Sequence, residues 1–152
     1  MWSDPAVVLH FGGKPFTREE VWFRILRYRG LWPLVGYGYW AMRETETGRF
    51  VGELGLADFQ RALSPGFEGA AEIGWTLASW AHRQGFAREA VNCVLAWADA
   101  KPRHARTVCM IVPENQPSLR LAERSGYAPY ARSRYRDKDV ILLERMRAGA
   151  TD

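Results

Sequence analysis

An α+β fold, with a mixed, mostly antiparallel central sheet flanked by helices, is predicted for this 152-residue chain by three observations. The first is the stretch from Glu72 to Ala98. Its opening, Glu72–Leu77, is rich in branched and aromatic residues, as a strand requires. It then turns through His82-Arg83-Gln84-Gly85-Phe86-Ala87 into a helix whose Ala87, Ala90, Val91, Val94, Leu95 and Ala98 recur at three- and four-residue spacing. The second is the order of elements, which reads helix, strands, central helix, strand, helix, strands. The third is the absence of any internal repeat, linker or low-complexity stretch, which makes residues 1–152 one domain.

Taken in order, Met1 to Phe16 shows no clear period. Thr17 before Glu19-Glu20, with Val21, Ile25 and Leu26, predicts a capped helix running to about Tyr28 and ended by Gly30 and Pro33. Tyr37–Arg43 and Phe50–Leu56, joined by Glu44-Thr45-Glu46-Thr47-Gly48, read as a β-hairpin. Gly52 and Gly55 inside its second strand suggest a bulge or a close approach of ligand backbone. Gln60–Glu68, with Pro65-Gly66, is a loop. Beyond the central helix, Thr107–Val112 is a strand, and Pro117 and Gly126 bracket a short helix. Tyr127–Arg136 and Val140–Leu143 form a last antiparallel pair.

Charged residues at 25% and hydrophobic ones at 47% describe an ordinary globule. No apolar run approaches the ~20 residues of a membrane span, and no basic-then-apolar leader opens the chain, so a cytoplasmic location is expected. The net charge of +4 suits an anionic ligand but is too small to argue for nucleic acid. The alternating Arg132, Arg134 and Arg136 are the solvated face of one strand rather than a nucleic-acid patch. Cys93 and Cys109 have no metal-ligand spacing and read as two buried thiols; no metal site is expected. Seven Trp suit an aromatic-lined ligand cleft.

The turn at 82–87 carries the clearest chemistry. A strand feeding a helix through a Gly-containing turn leaves backbone N–H groups unpaired at the positive end of the helix dipole, and Arg83 and Arg88 add charge there. Gly85 lets backbone approach a phosphate closely. The corner reads as a diphosphate cradle.

Glu72-Ile73-Gly74-Trp75, then Leu77-Ala78, Gly85-Phe86-Ala87 and Glu89-Ala90 resemble the GNAT superfamily of N-acetyltransferases, above all its RimJ/RimL-like branch. The superfamily's pyrophosphate loop, Gln/Arg-x-x-Gly-x-Gly/Ala, falls on His82-x-x-Gly85-x-Ala87, with His82 departing from the first position. Asn115-Gln116-Pro117-Ser118 and Glu123-Arg124-Ser125-Gly126-Tyr127 are similar to that branch's Asn-x-x-Ser and Glu-Lys-x-Gly-Phe/Tyr blocks. The resemblance implies the acyl-CoA N-acyltransferase fold, with Glu72–Leu77 and Thr107–Val112 parallel and splayed. Acetyl-CoA would enter between them and meet Leu77, His82, Arg83, Gln84, Gly85, Phe86, Ala87, Asn115 and Ser118. It also implies that the Leu77 N–H polarises the thioester carbonyl. Where many relatives carry an acidic Tyr this chain has Ala122, and the branch implies Ser118 in its place; on propensity alone, Asn115 and Ser118 are helix caps.

An amine acceptor must lose a proton. Glu72 is the first candidate base and Glu53 the second, both being carboxylates in apolar strands, where desolvation raises the pKa. A salt bridge or exposure at a strand end explains either equally well. The expected activity is direct transfer from acetyl-CoA to a primary amine, of a protein N-terminus or a small molecule, in a ternary complex. A non-catalytic acyl-CoA-binding or sensing domain is the alternative. In RimJ/RimL-like proteins a strand and helix usually precede the segment resembling Ser3-Asp4-Pro5, whereas only Met1 and Trp2 precede it here. Tyr37–Arg43 is therefore expected to be a sheet edge: either the native product starts upstream, or, as the favoured expectation, a second copy covers the edge in a homodimer.

Overall fold

The computed structural model describes residues 1–67 and 69–147. Its helices are α1 (Pro5–Val8), α2 (Arg18–Val35), α3 (Phe86–Asp99) and α4 (Gln116–Arg124). Its strands are β1 (Tyr39–Arg43), β2 (Phe50–Ala57), β3 (Ala71–Leu77), β4 (Arg106–Ile111), β5 (Ala128–Tyr135) and β6 (Lys138–Met146). They make one mixed sheet in the order β1-β2-β3-β4-β6-β5, flanked by helices, as the element order predicts. The chain comprises two compact units, Met1–Ala57 with Gly74–Ala90, and Asp58–Ile73 with Val91–Asp152. The division passes through β3 and α3.

In the first unit, β1 and β2 pair antiparallel from Tyr39↔Gly55 to Arg43↔Phe50, with a register shift after Met42. Asp4 caps α1 by accepting from the Ala6 N–H, and Pro5 opens the helix; the Asp-Pro pair was a readable start signal in a segment expected to be featureless. Thr17 and Glu20 form the reciprocal capping box that starts α2. The helix does not stop at Gly30 or Pro33. It runs through both to Gly36, which adopts φ 76° and donates its N–H to the Trp32 carbonyl. A proline inside a helix costs ~3 kcal/mol and a glycine ~1. Contacts made by the last two turns oppose that cost: Leu31 is buried, and Trp32 packs edge-on against Trp40 and donates to the Tyr39 carbonyl at 3.4 Å. Gly52 and Gly55 are explained by neighbouring backbone rather than by a ligand. A Cβ on Gly52 would lie 2.3 Å from the Thr76 carbonyl oxygen, and one on Gly55 2.2 Å from that of Gly38.

The second unit contains the parallel pairing of β3 with β4, Ala71↔Thr107 and Glu72↔Val108. β6 lies antiparallel between β4 and β5. Val91, Val94, Leu95 and Ala98 of α3 are buried, as their spacing requires, together with Val108, Leu142 and Leu143. Cys109 is buried, and burial pushes its thiol pKa up. Cys93 is exposed instead, because it lies off the apolar stripe of α3. Arg132, Arg134 and Arg136 are exposed along and beyond β5. Asp99 accepts two hydrogen bonds from Arg145, at 2.8 and 2.6 Å. The irregular segment after β2 is tied down by Arg106 donating to the Phe67 carbonyl and Ser133 to that of Ser64.

Candidate active site

The strand–turn–helix of the first unit is built to leave donors unused. β3 ends at the buried Leu77, and Ala78 donates to the Val51 carbonyl at 2.8 Å. A single 3-10 turn, Ser79–Ala81, leads to Arg83 at φ 61° and Gly85 at φ 90° before α3 begins. His82 Nε2 donates back to the Leu77 carbonyl at 3.2 Å, so this ring braces the turn against the strand end. Gly85 accepts through its carbonyl from the N–H groups of Arg88 and Glu89, whereas among the described residues the N–H groups of Gly85, Phe86 and Ala87 have no acceptor. A Cβ on Gly85 would touch nothing within 4 Å. Its left-handed backbone and the open space above it are what the position uses. Trp80 anchors the turn through Phe86 and under the guanidinium of Arg49, 3.8 Å from its ring. Val51, Leu77 and Ala81 form the apolar cluster beneath.

Asn115 and Ser118 lie in the second unit at the start of α4. Asn115 Oδ1 accepts from the Ser118 N–H at 3.2 Å, so the capping function is present. Ser118 is half-buried, and Ala122, one turn on, is fully buried. Glu72 also belongs to this unit. Its carboxylate, 7% exposed, accepts from Arg61 Nε at 2.6 Å and Nη2 at 2.9 Å. Burial pulls the Arg61 pKa down, but the hydrogen bonds and charge of Glu72 outweigh it and hold it above the usual value.

Glu53 has a different setting. Strand pairing places it opposite Ala41 in the first unit, beside a cavity of about 770 Å³ between α2, β1, β2 and the residues around Trp2. Arg24 Nε donates to its Oε1 at 3.1 Å and the Tyr28 hydroxyl to the same oxygen at 2.7 Å. Among the described residues Oε2 has no such partner. Tyr28 stacks on Tyr39 with ring centroids 4.1 Å apart and planes 2° from parallel. Burial, then the neighbouring Tyr39, raises the Tyr28 pKa, so its hydroxyl remains a donor. Tyr39 extends over a glycine: a Cβ on Gly74 would lie 2.1 Å from its hydroxyl oxygen. Arg24, Tyr28 and Tyr39 were absent from the sequence-derived set. The signal for the first two was their four-residue spacing, which puts them on one face of α2.

A family model described as an acetyltransferase (GNAT) domain matches residues 1–128. A solved structure from Bordetella pertussis, assigned to the GnaT acetyltransferase family, is 30% identical with a TM-score of 0.80 and 93% of each chain covered. YkkB, an uncharacterized protein of Bacillus subtilis (strain 168), is 26% identical over 95% of this chain and 81% of its own length. A spermidine N-acetyltransferase of Vibrio cholerae, solved with CoA and spermine, shares the fold at 14% identity, with a TM-score of 0.72 and 96% and 85% of the two chains covered. Ribosomal-protein acetyltransferases of Vibrio cholerae and Vibrio fischeri are also among the solved structures that share it. With the family model covering most of its length, this chain belongs to the GNAT family of acetyltransferases.

Proposed function

We propose that the protein is an N-acetyltransferase that moves the acetyl group of acetyl-CoA to a primary amine by direct attack in a ternary complex. The observation that carries this reading is the turn from Leu77 to Ala87, with three backbone N–H groups unused at the start of α3. That is the donor set a pyrophosphate needs, and Arg83 and Gln84 flank it. In the reaction the amine nitrogen bonds to the thioester carbonyl carbon, the C–S bond breaks, and CoA leaves as thiolate. The Leu77 N–H polarises the carbonyl. The family resemblance assigns Asn115 and Ser118 to cofactor contact, with the Ser118 hydroxyl donating to the departing sulfur. The amine proton passes to a carboxylate, directly or through water. Glu53 is the better acceptor on this geometry, since both oxygens of Glu72 are held by Arg61, while Glu53 lines a cavity and its Oε2 has no hydrogen-bond partner among the described residues.

Acetyl-CoA offered with peptide and small-molecule amines tests the reading. Amine-dependent release of CoA thiol, with acetylated product by mass, is expected. Tight CoA binding with no transfer to any amine would instead favour the acyl-CoA-binding or sensing domain. The reading also places the enzyme in the cytoplasm and pairs it with a second copy along β1, which ends the sheet. Trp22, Phe23 and Leu26 are exposed on the neighbouring helix α2.

A further inference from the structure

The Glu53 cavity specifies its occupant more closely than "a primary amine". Arg24 is held from two sides. Its guanidinium stacks 3.8 Å from the Trp2 ring centroid, and its Nε is bound to Glu53. Phe11, Phe16 and Tyr28 surround it further out. Its side chain is 16% exposed, yet among the described residues its two terminal nitrogens make no hydrogen bond. A guanidinium fixed in orientation with its two-nitrogen edge unused is a preformed clamp for a carboxylate. Glu53 Oε2, with no hydrogen-bond partner among the described residues, is the acceptor left for an amine. Arg18 and Arg29 also line the cavity, so its charged lining is three arginines to one glutamate. That balance disfavours a polyamine and favours a ligand with an anionic group. The remaining wall is mainly aromatic, Trp32 and Trp40 among it.

Resting on the acetyltransferase reading, we propose that the acceptor is a free α-amino acid with an apolar side chain. Its carboxylate is taken bidentately by Arg24, its amine faces Glu53, and its side chain lies against the aromatic wall. An α-amino acid carries its two charged groups on one carbon, the complement of an Arg–Glu pair. A peptide N-terminus lacks that carboxylate.

Calorimetric titration of the CoA-saturated protein with L-phenylalanine, L-phenylalaninamide and 2-phenylethylamine tests this without turnover. L-phenylalanine should bind about ten-fold or more tightly than either of the others, the scale of a charge-assisted bidentate contact. Arg24→Lys keeps the charge and loses the fork, so it should erase most of that preference while its melting curve shows it folded. Equal binding of the three ligands, or no saturable binding of L-phenylalanine, overturns the proposal. So does a preference that survives in a folded Arg24→Lys. Acetyl transfer to all three without a carboxylate preference would overturn this assignment and leave the acetyltransferase reading standing. Selective binding of L-phenylalanine with no transfer to any amine would do the reverse.

Discussion

The guanidinium of Arg61 grips Glu72 by both carboxylate oxygens, at 2.6 and 2.9 Å, with the two side chains only 17% and 7% exposed. Breaking a buried pair by removing one partner leaves a charge without compensation, which costs about 3–5 kcal/mol. Glu72→Gln is therefore expected to destabilise the fold by about that amount in denaturant titration. The low-pH limb of its rate profile should stay that of the parent. A normal stability with a flattened limb would restore Glu72 as the base.

Glu53→Gln is expected to give the opposite pattern. It removes the proposed proton acceptor, so kcat/KM should fall about 100-fold or more and the acid limb should flatten. CoA affinity should be unchanged, which calorimetry can read in the same preparation.

A side chain at Gly85 would meet open space but would be forced to a φ of 90°, in the residue whose own N–H is one of the three unused donors. Gly85→Glu should weaken CoA by roughly 2–4 kcal/mol through lost hydrogen bonds and repulsion. Unchanged affinity in calorimetric titration would remove the diphosphate from this turn. Ser118→Ala, by contrast, should lower turnover and leave CoA affinity near that of the parent.

His104 is buried beside Trp97 and accepts from Arg103 Nε at 3.3 Å, a contact that needs the neutral ring. Burial, then Arg103 and Lys101, lowers its pKa below 6.5. A lowered folded-state pKa means its contribution to stability is present above 6.5 and is lost as pH falls toward the folded value. His104→Phe should therefore show a shallower decline of melting temperature across that window than the parent.

The dimer along β1 is tested by light scattering coupled to size exclusion. A dimeric mass is expected, with slow hydrogen exchange along Tyr39–Arg43. A monodisperse monomer with fast exchange there would refute it.

The parts of the fold visible in the sequence were those set by local rules. Thr17 and Glu20 announce their helix by spacing, and the stripe from Val91 to Ala98 appears as buried as its period requires. The end of α2 was misjudged because Gly30 and Pro33 are local stop signals, overridden here by packing of Leu31 and Trp32 that no local rule contains. The turn at 82–87 is legible because its unused donors belong to consecutive backbone groups. The roles of Glu53 and Glu72 were not separable. Each has a partner in another element, Arg24 on α2 and Arg61 in an irregular segment, and no periodicity connects them.

Gly74 has no side chain, and the Tyr39 hydroxyl occupies the room that this leaves. One added methyl would displace Tyr39 and disturb its stacking on Tyr28, and both rings line the cavity. On the proposed reading, acceptor selectivity therefore drifts by a single base change at a strand position outside the cavity lining. On that reading, a survey of natural variants for altered acceptor choice should include residue 74 beside the cavity wall.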